Sequence, residues 1–118
     1  MNWAALVAAA LAMWGWWPSR EIVVLDEPVR DNEYKLARTS HDDDNCYIHV
    51  YSSTWAPGYD PFKIIAHEVG HCIGLPHIEQ EGIMNATYEG YEFSVWDRAE
   101  FLRHYPASRI VVTGVAHD

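Results

Sequence analysis

The stretch HEVGHCIGLPH, running from His67 to His77, constrains this chain more than any total does. His67 and His71 are four residues apart, so on a helix they stand one above the other on a single face and both imidazoles reach one cation. Glu68 follows the first of them directly and projects to one side of the pair, where it meets a metal-activated water without being a ligand. A straight helix would carry the next histidine away from that cation. Gly74 can adopt the left-handed conformation that turns the chain back, Pro76 prevents the helix from resuming, and His77 then approaches from another direction. Three imidazoles with a fourth position open are the donor set of a catalytic zinc rather than of a closed structural one. A carboxylate beside them is what metal-assisted hydrolysis needs.

Composition limits where such a motif can sit. At 118 residues, 49% of them hydrophobic, the chain is long enough for one compact domain with a small core. Eight Lys and Arg against 17 Asp and Glu give a formal charge of −9, which excludes an electrostatic grip on nucleic acid or on an anionic membrane surface. A peptide with cationic side chains suits that field. Cys46 and Cys72 allow one disulfide and form no CxxC pair; in an exported chain they are expected to bridge, tying the strand that begins at Cys46 to the zinc helix.

The first 17 residues carry no charged side chain. They read in three ways: a signal peptide with an Ala10-Leu11-Ala12 cleavage site, an anchor with Trp14, Trp16 and Trp17 at a membrane interface, or a helix packed on the domain through Trp3, Leu6, Val7, Ala10, Leu11 and Trp14. The chain therefore divides into an apolar segment, 1–17, and the domain, 18–118. The first two readings make the protein secreted or membrane-anchored; the third, with 3–14 as a domain helix, is compatible with the cytoplasm.

After Pro18, EIVVL, EYKLARTS and CYIHVYSS read as strands. HDDDN between the last two is a solvated turn, and its three aspartates do not specify a calcium site, so additional Ca2+ is unsupported. Asp60 caps and Pro61 starts a helix that continues through Phe62 to Ile73. A last helix begins at Ser94, answered by Asp97, with Val95, Ala99 and Leu102 as its packing stripe, and stops before Pro106. RIVVTGV in the 107–118 tail reads as a further strand without a functional role. His41, His49, His104 and His117 fall in no ligand set and are expected at the surface or in turns.

HEVGHCIGLPH followed by GIM resembles the extended zinc motif and Met-turn of the metzincin metallopeptidases, most like a small matrixin. The resemblance implies an α+β fold: a reduced domain with a short mixed sheet over the zinc-binding helix, a Met-turn and a C-terminal helix. It implies a zinc-dependent endopeptidase acting on peptide or protein substrates, with one catalytic Zn2+ on His67, His71 and His77, and with Glu68 as general base and acid. Met84 matches the methionine that floors the zinc site in that clan. EYKLARTS resembles the strand along the cleft edge, and FSVWDRAEFLRHY resembles the C-terminal helix. Tyr88 or Tyr91 is placed to line the pocket beyond the scissile bond, and no inhibitory pro-segment is recognisable. The alternative from another class is a non-catalytic, zinc-stabilised peptide-binding module.

Overall fold

A computed structural model of the protein describes residues 1–16, 19–29 and 36–106. In chain order its elements are α1 (Trp3–Trp14), β1 (Glu21–Asp26), β2 (Ala37–His41), β3 (Asn45–Val50), a short 3-10 turn at Ser52–Thr54, α2 (Pro61–Ile73) and α3 (Val95–His104). The fold is α+β. The three strands are ordered β1-β3-β2, with β1 parallel and β2 antiparallel to β3, so the sheet is mixed as expected.

Alternation decides which side of the sheet is covered. Cys46, Ile48 and Val50 of β3 are buried beneath α2, which answers with Ile65, Ala66, Val69 and Ile73. The α1 helix lies against α2 and completes the core through Val7, Ala10, Leu11 and Trp14. Trp14 is 0% exposed, and its indole N–H donates to the Ala66 carbonyl at 3.0 Å, so burying the ring leaves no polar atom unpaired. Arg98 of α3 donates to the carbonyls of Met13 and Trp14 at 3.0 and 2.9 Å, supplying partners to the C-terminal end of α1 where the helix has none of its own. Among the described residues no helix is long and apolar enough to cross a membrane.

Three readings from the sequence need adjustment. The strand in CYIHVYSS ends at Val50, one ladder bond before Ser52–Thr54 turns the chain. Of EYKLARTS, the described strand begins at Ala37; positions 33–35 lie outside the described residues, as does the RIVVTGV segment. The packing stripe assigned to α3 holds only at Leu102, which packs on the core: Val95 is 74% exposed and Ala99 is exposed, while Asp97 and Phe101 are buried. The cause is Asp97, whose carboxylate bonds to backbone amides of a preceding loop and so fixes which face of α3 turns inward.

Candidate metal centre and cleft

The α2 helix is defined at both ends by its own residues. Asp60 accepts the Phe62 amide at 2.9 Å, Pro61 takes the first turn, and Gly74 closes the helix at φ 105° with its N–H directed to the carbonyls of Gly70 and His71. This left-handed step is what reverses the chain toward His77.

The outcome is a convergence of three ring nitrogens. Nε2 of His71 is 3.2 Å from Nε2 of His67 and 3.1 Å from Nε2 of His77. The inward tautomer is fixed in two of the rings by the other nitrogen: Nδ1–H of His67 donates to the Ile83 carbonyl at 2.6 Å, and Nδ1–H of His71 to the Leu75 carbonyl at 2.8 Å. Zn–N bonds of about 2.0–2.1 Å in a tetrahedral site require donors about 3.3 Å apart. The group is therefore able to hold a metal ion, with its donor atoms within 4.8 Å of one another. Burial lowers the pKa of His67 to about 4, so its ring is neutral and its lone pair free at neutral pH. His77 is also lowered, by desolvation and then by His71.

Glu68 is 6% exposed beside this triad. Thr39 Oγ1 donates to its Oε1 at 2.6 Å, and its Oε2 lies 3.9 Å from His67 Nε2. Burial raises the carboxyl pKa, and the Thr39 hydrogen bond works against that rise. Triad and carboxylate open into a cleft of about 830 Å³, bordered on one side by Ala37 and Thr39 of β2 and on the other by Tyr88 and Tyr91.

The cleft edge has usable main-chain groups. The Leu36 carbonyl accepts from Tyr51 N–H and Asp42 N–H donates to the Asn45 carbonyl, which sets the hydrogen-bonded pairs of β2 with β3 at even-numbered β2 positions. The N–H and C=O groups of Ala37, Thr39 and His41 consequently face away from β3, along the edge of the sheet.

Met84 is 0% exposed against α2, and Gly70 makes room for it, since a β-carbon there would overlap Met84 Sδ. The turn carrying Met84 is clamped by Asp97, 0% exposed, which accepts the amides of Ile83 at 2.8 Å, Met84 at 2.9 Å and Ser94 at 2.8 Å. A β-carbon at Gly82 would meet both Asp97 carboxylate oxygens, so this glycine is needed for the clamp to close. Cys46 and Cys72 are joined in a disulfide, Cα–Cα 5.9 Å, tying β3 to α2 next to His71.

The family model described as matrixin matches residues 25–99, more than half of the chain. The chain belongs to the matrixin family. Among curated proteins none matches it. The match in this matrixin runs from the end of β1 into α3 and includes the histidine triad and Met84; it leaves α1 outside. Matrixins are zinc metallopeptidases acting on peptides or proteins, and the triad of this matrixin is a group suited to such a metal.

The matrixin structure also supplies residues that sequence reasoning missed. Thr39 was read only as part of a strand and Asp97 only as a helix cap; both also reach across the fold to the site. A buried Asp at the third position of a capped helix carries a faint signal, whereas nothing local marks Thr39. Tyr88 reaches further than the cleft wall: its hydroxyl accepts the Asp60 amide at 2.7 Å and its ring packs on Tyr59 at 4.6 Å. His41 and His104 are exposed as expected, but His49 is half-buried on the outer sheet face, between Ser40 at 2.8 Å and Glu27 at 2.7 Å. His117 lies outside the described residues.

Proposed function

We propose that this matrixin is a zinc-dependent endopeptidase in which His67, His71 and His77 hold one zinc ion and Glu68 moves the proton. The observation that carries the reading is the convergence of three Nε2 atoms beside a buried carboxylate, at the floor of a cleft with an open strand edge. A zinc ion held there supplies Lewis acidity toward the scissile carbonyl and the attacking water. The outward main-chain groups of Ala37, Thr39 and His41 suit an extended peptide adding as a further strand, which would lay its backbone across the triad. Glu68 accepts a proton from the attacking water and returns it to the leaving amine; burial, which strengthens its hold on a proton, favours the intermediate stage of that exchange. Met84 provides the apolar floor, and Tyr88 and Tyr91 line the part of the cleft beyond the scissile bond.

The formal charge of −9 favours substrates with cationic side chains. The Cys46–Cys72 bridge supports an oxidising setting, and so a secreted or membrane-anchored protein. Burial of Val7, Ala10, Leu11 and Trp14 supports reading residues 3–14 as a helix of the domain.

Incubation of the zinc-loaded protein with a diverse peptide library, with cleavage sites mapped by mass spectrometry, tests the reading. Cleavage abolished by chelation and restored by zinc is expected. Peptide binding without cleavage would replace it with the zinc-stabilised binding module.

A further inference from the structure

The Glu68 carboxylate is held by one of its two oxygens. Oε1 accepts from Thr39 Oγ1 at 2.6 Å, while Oε2 lies on the triad side, 3.9 Å from His67 Nε2. Among the described residues Thr39 is the only side chain that donates a hydrogen bond to it. Rotation about the last bond of a glutamate side chain is broad, so packing alone leaves the direction of its oxygens poorly fixed. Threonine is stiff at χ1, and a short bond from it to a carboxylate removes that freedom.

Thr39 has a second orientation that matters. It sits on β2 opposite Ile48, in a pair whose main-chain groups do not bond to each other, so its own N–H and C=O face the open edge of the sheet. One residue thus grips the carboxylate with its side chain and offers its main chain where an extended peptide would add.

We propose that Thr39 is a positioning residue, which fixes Oε1 of Glu68 so that Oε2 faces the reacting carbonyl and ties that carboxylate to the strand on which substrate docks. This role rests on the reading of Glu68 as proton shuttle. In the reaction an O–H bond of water breaks as its oxygen bonds to the carbonyl carbon, and the proton goes to Oε2. The C–N bond then breaks and Oε2 returns the proton to the amine nitrogen. Thr39 donates to Oε1 throughout and neither gains nor loses a proton. A purely structural tie between β2 and α2 would affect stability but would not act through the carboxylate.

The test compares Thr39→Val, which keeps the shape and removes the donor, with Thr39→Ser, which keeps the donor, in the full zinc-loaded chain on a peptide it cleaves. Thr39→Val is expected to lower kcat by about 10- to 100-fold with KM and zinc content unchanged, the loss of one hydrogen bond to a charged group. Thr39→Ser restores most of that rate. In a Glu68→Gln background Thr39→Val is expected to cause no further loss. A readout independent of turnover is the 13C resonance of the Glu68 carboxyl in metal-free protein, assigned by its disappearance in Glu68→Gln. Thr39→Val is expected to move it, and Thr39→Ser to leave it near its original position. If Thr39→Val unfolds the chain, Thr39→Ala removes the donor without added bulk and carries the same expectations. A wild-type peptidase whose kcat and Glu68 resonance are indifferent to loss of the donor overturns the role of Thr39 alone, as does an equal loss in the Glu68→Gln background. A wild-type protein that cleaves no peptide overturns the peptidase reading and, with it, this role.

Discussion

Asp97 holds the amide of Ile83 at 2.8 Å, and the carbonyl of that same Ile83 accepts Nδ1–H of His67 at 2.6 Å. A buried carboxylate on α3 is therefore linked through one residue of the Met84 turn to the ring orientation of a histidine on α2. Neither end of the relay touches the other directly.

Asp97→Ala should accordingly weaken both fold and site. It strands the amides of Ile83, Met84 and Ser94, and leaving two buried donors and one part-buried donor unpaired costs about 3 kcal/mol or more. Zinc affinity should fall by about 10- to 100-fold, the usual effect of removing support behind a ligand. Denaturant unfolding and competitive zinc titration check the two effects; an unchanged zinc affinity in folded Asp97→Ala would break the relay argument.

Stability of the metal-free protein should depend on pH through His67. Its ordinary pKa of 6.5 applies to the unfolded chain, and burial brings the folded value to about 4, so between these limits the unfolded state binds the extra proton. The contribution, about 3 kcal/mol, is fully present above pH ~6.5 and is lost as pH falls toward ~4. Glu68 acts with the opposite sign: its folded pKa is raised, so its contribution is present at low pH and is lost as pH rises through the folded value. Thermal melts from pH 7 to pH 4 should show the loss, and His67→Gln should flatten that slope. An equal slope in the variant would assign the pH dependence elsewhere.

The α2 helix was legible because everything that defines it is local. Asp60, Pro61 and Gly74 set its ends, and the spacing of His67, His71 and His77 brings the rings together once Gly74 turns the chain. Strand β3 was equally legible, since Ile48 and Val50 alternate with Tyr47 and His49 and only one side can be buried. The buried side of α3 was legible only in part. Of the apolar stripe Val95, Ala99 and Leu102 only Leu102 packs on the core, because the amides that Asp97 must reach lie in a loop 13 and 14 positions earlier, and they decide the helix's orientation. Thr39 escaped for the same reason: its partner Glu68 is 29 residues away on another element, and no periodicity encodes that distance.

The Cys46–Cys72 bridge should contribute substantially to stability. It closes a separation of 26 residues, for which the chain-entropy account gives about 3–4 kcal/mol. Cys46→Ala with Cys72→Ala should lower the denaturant midpoint accordingly, and intact mass after alkylation of the native protein should show no modified thiol. Two freely alkylated cysteines in natively expressed protein would reject the bridge.

The most direct measurement concerns Glu68, beside the triad and 6% exposed. With zinc content and folding verified, Glu68→Ala should leave metal bound while peptide hydrolysis drops by at least ~10²-fold, the lower range for a general acid–base group. Glu68→Gln, which keeps size and hydrogen bonding but no basicity, should do the same. Hydrolysis at the wild-type rate by both variants, with contaminating protease excluded, would contradict the account.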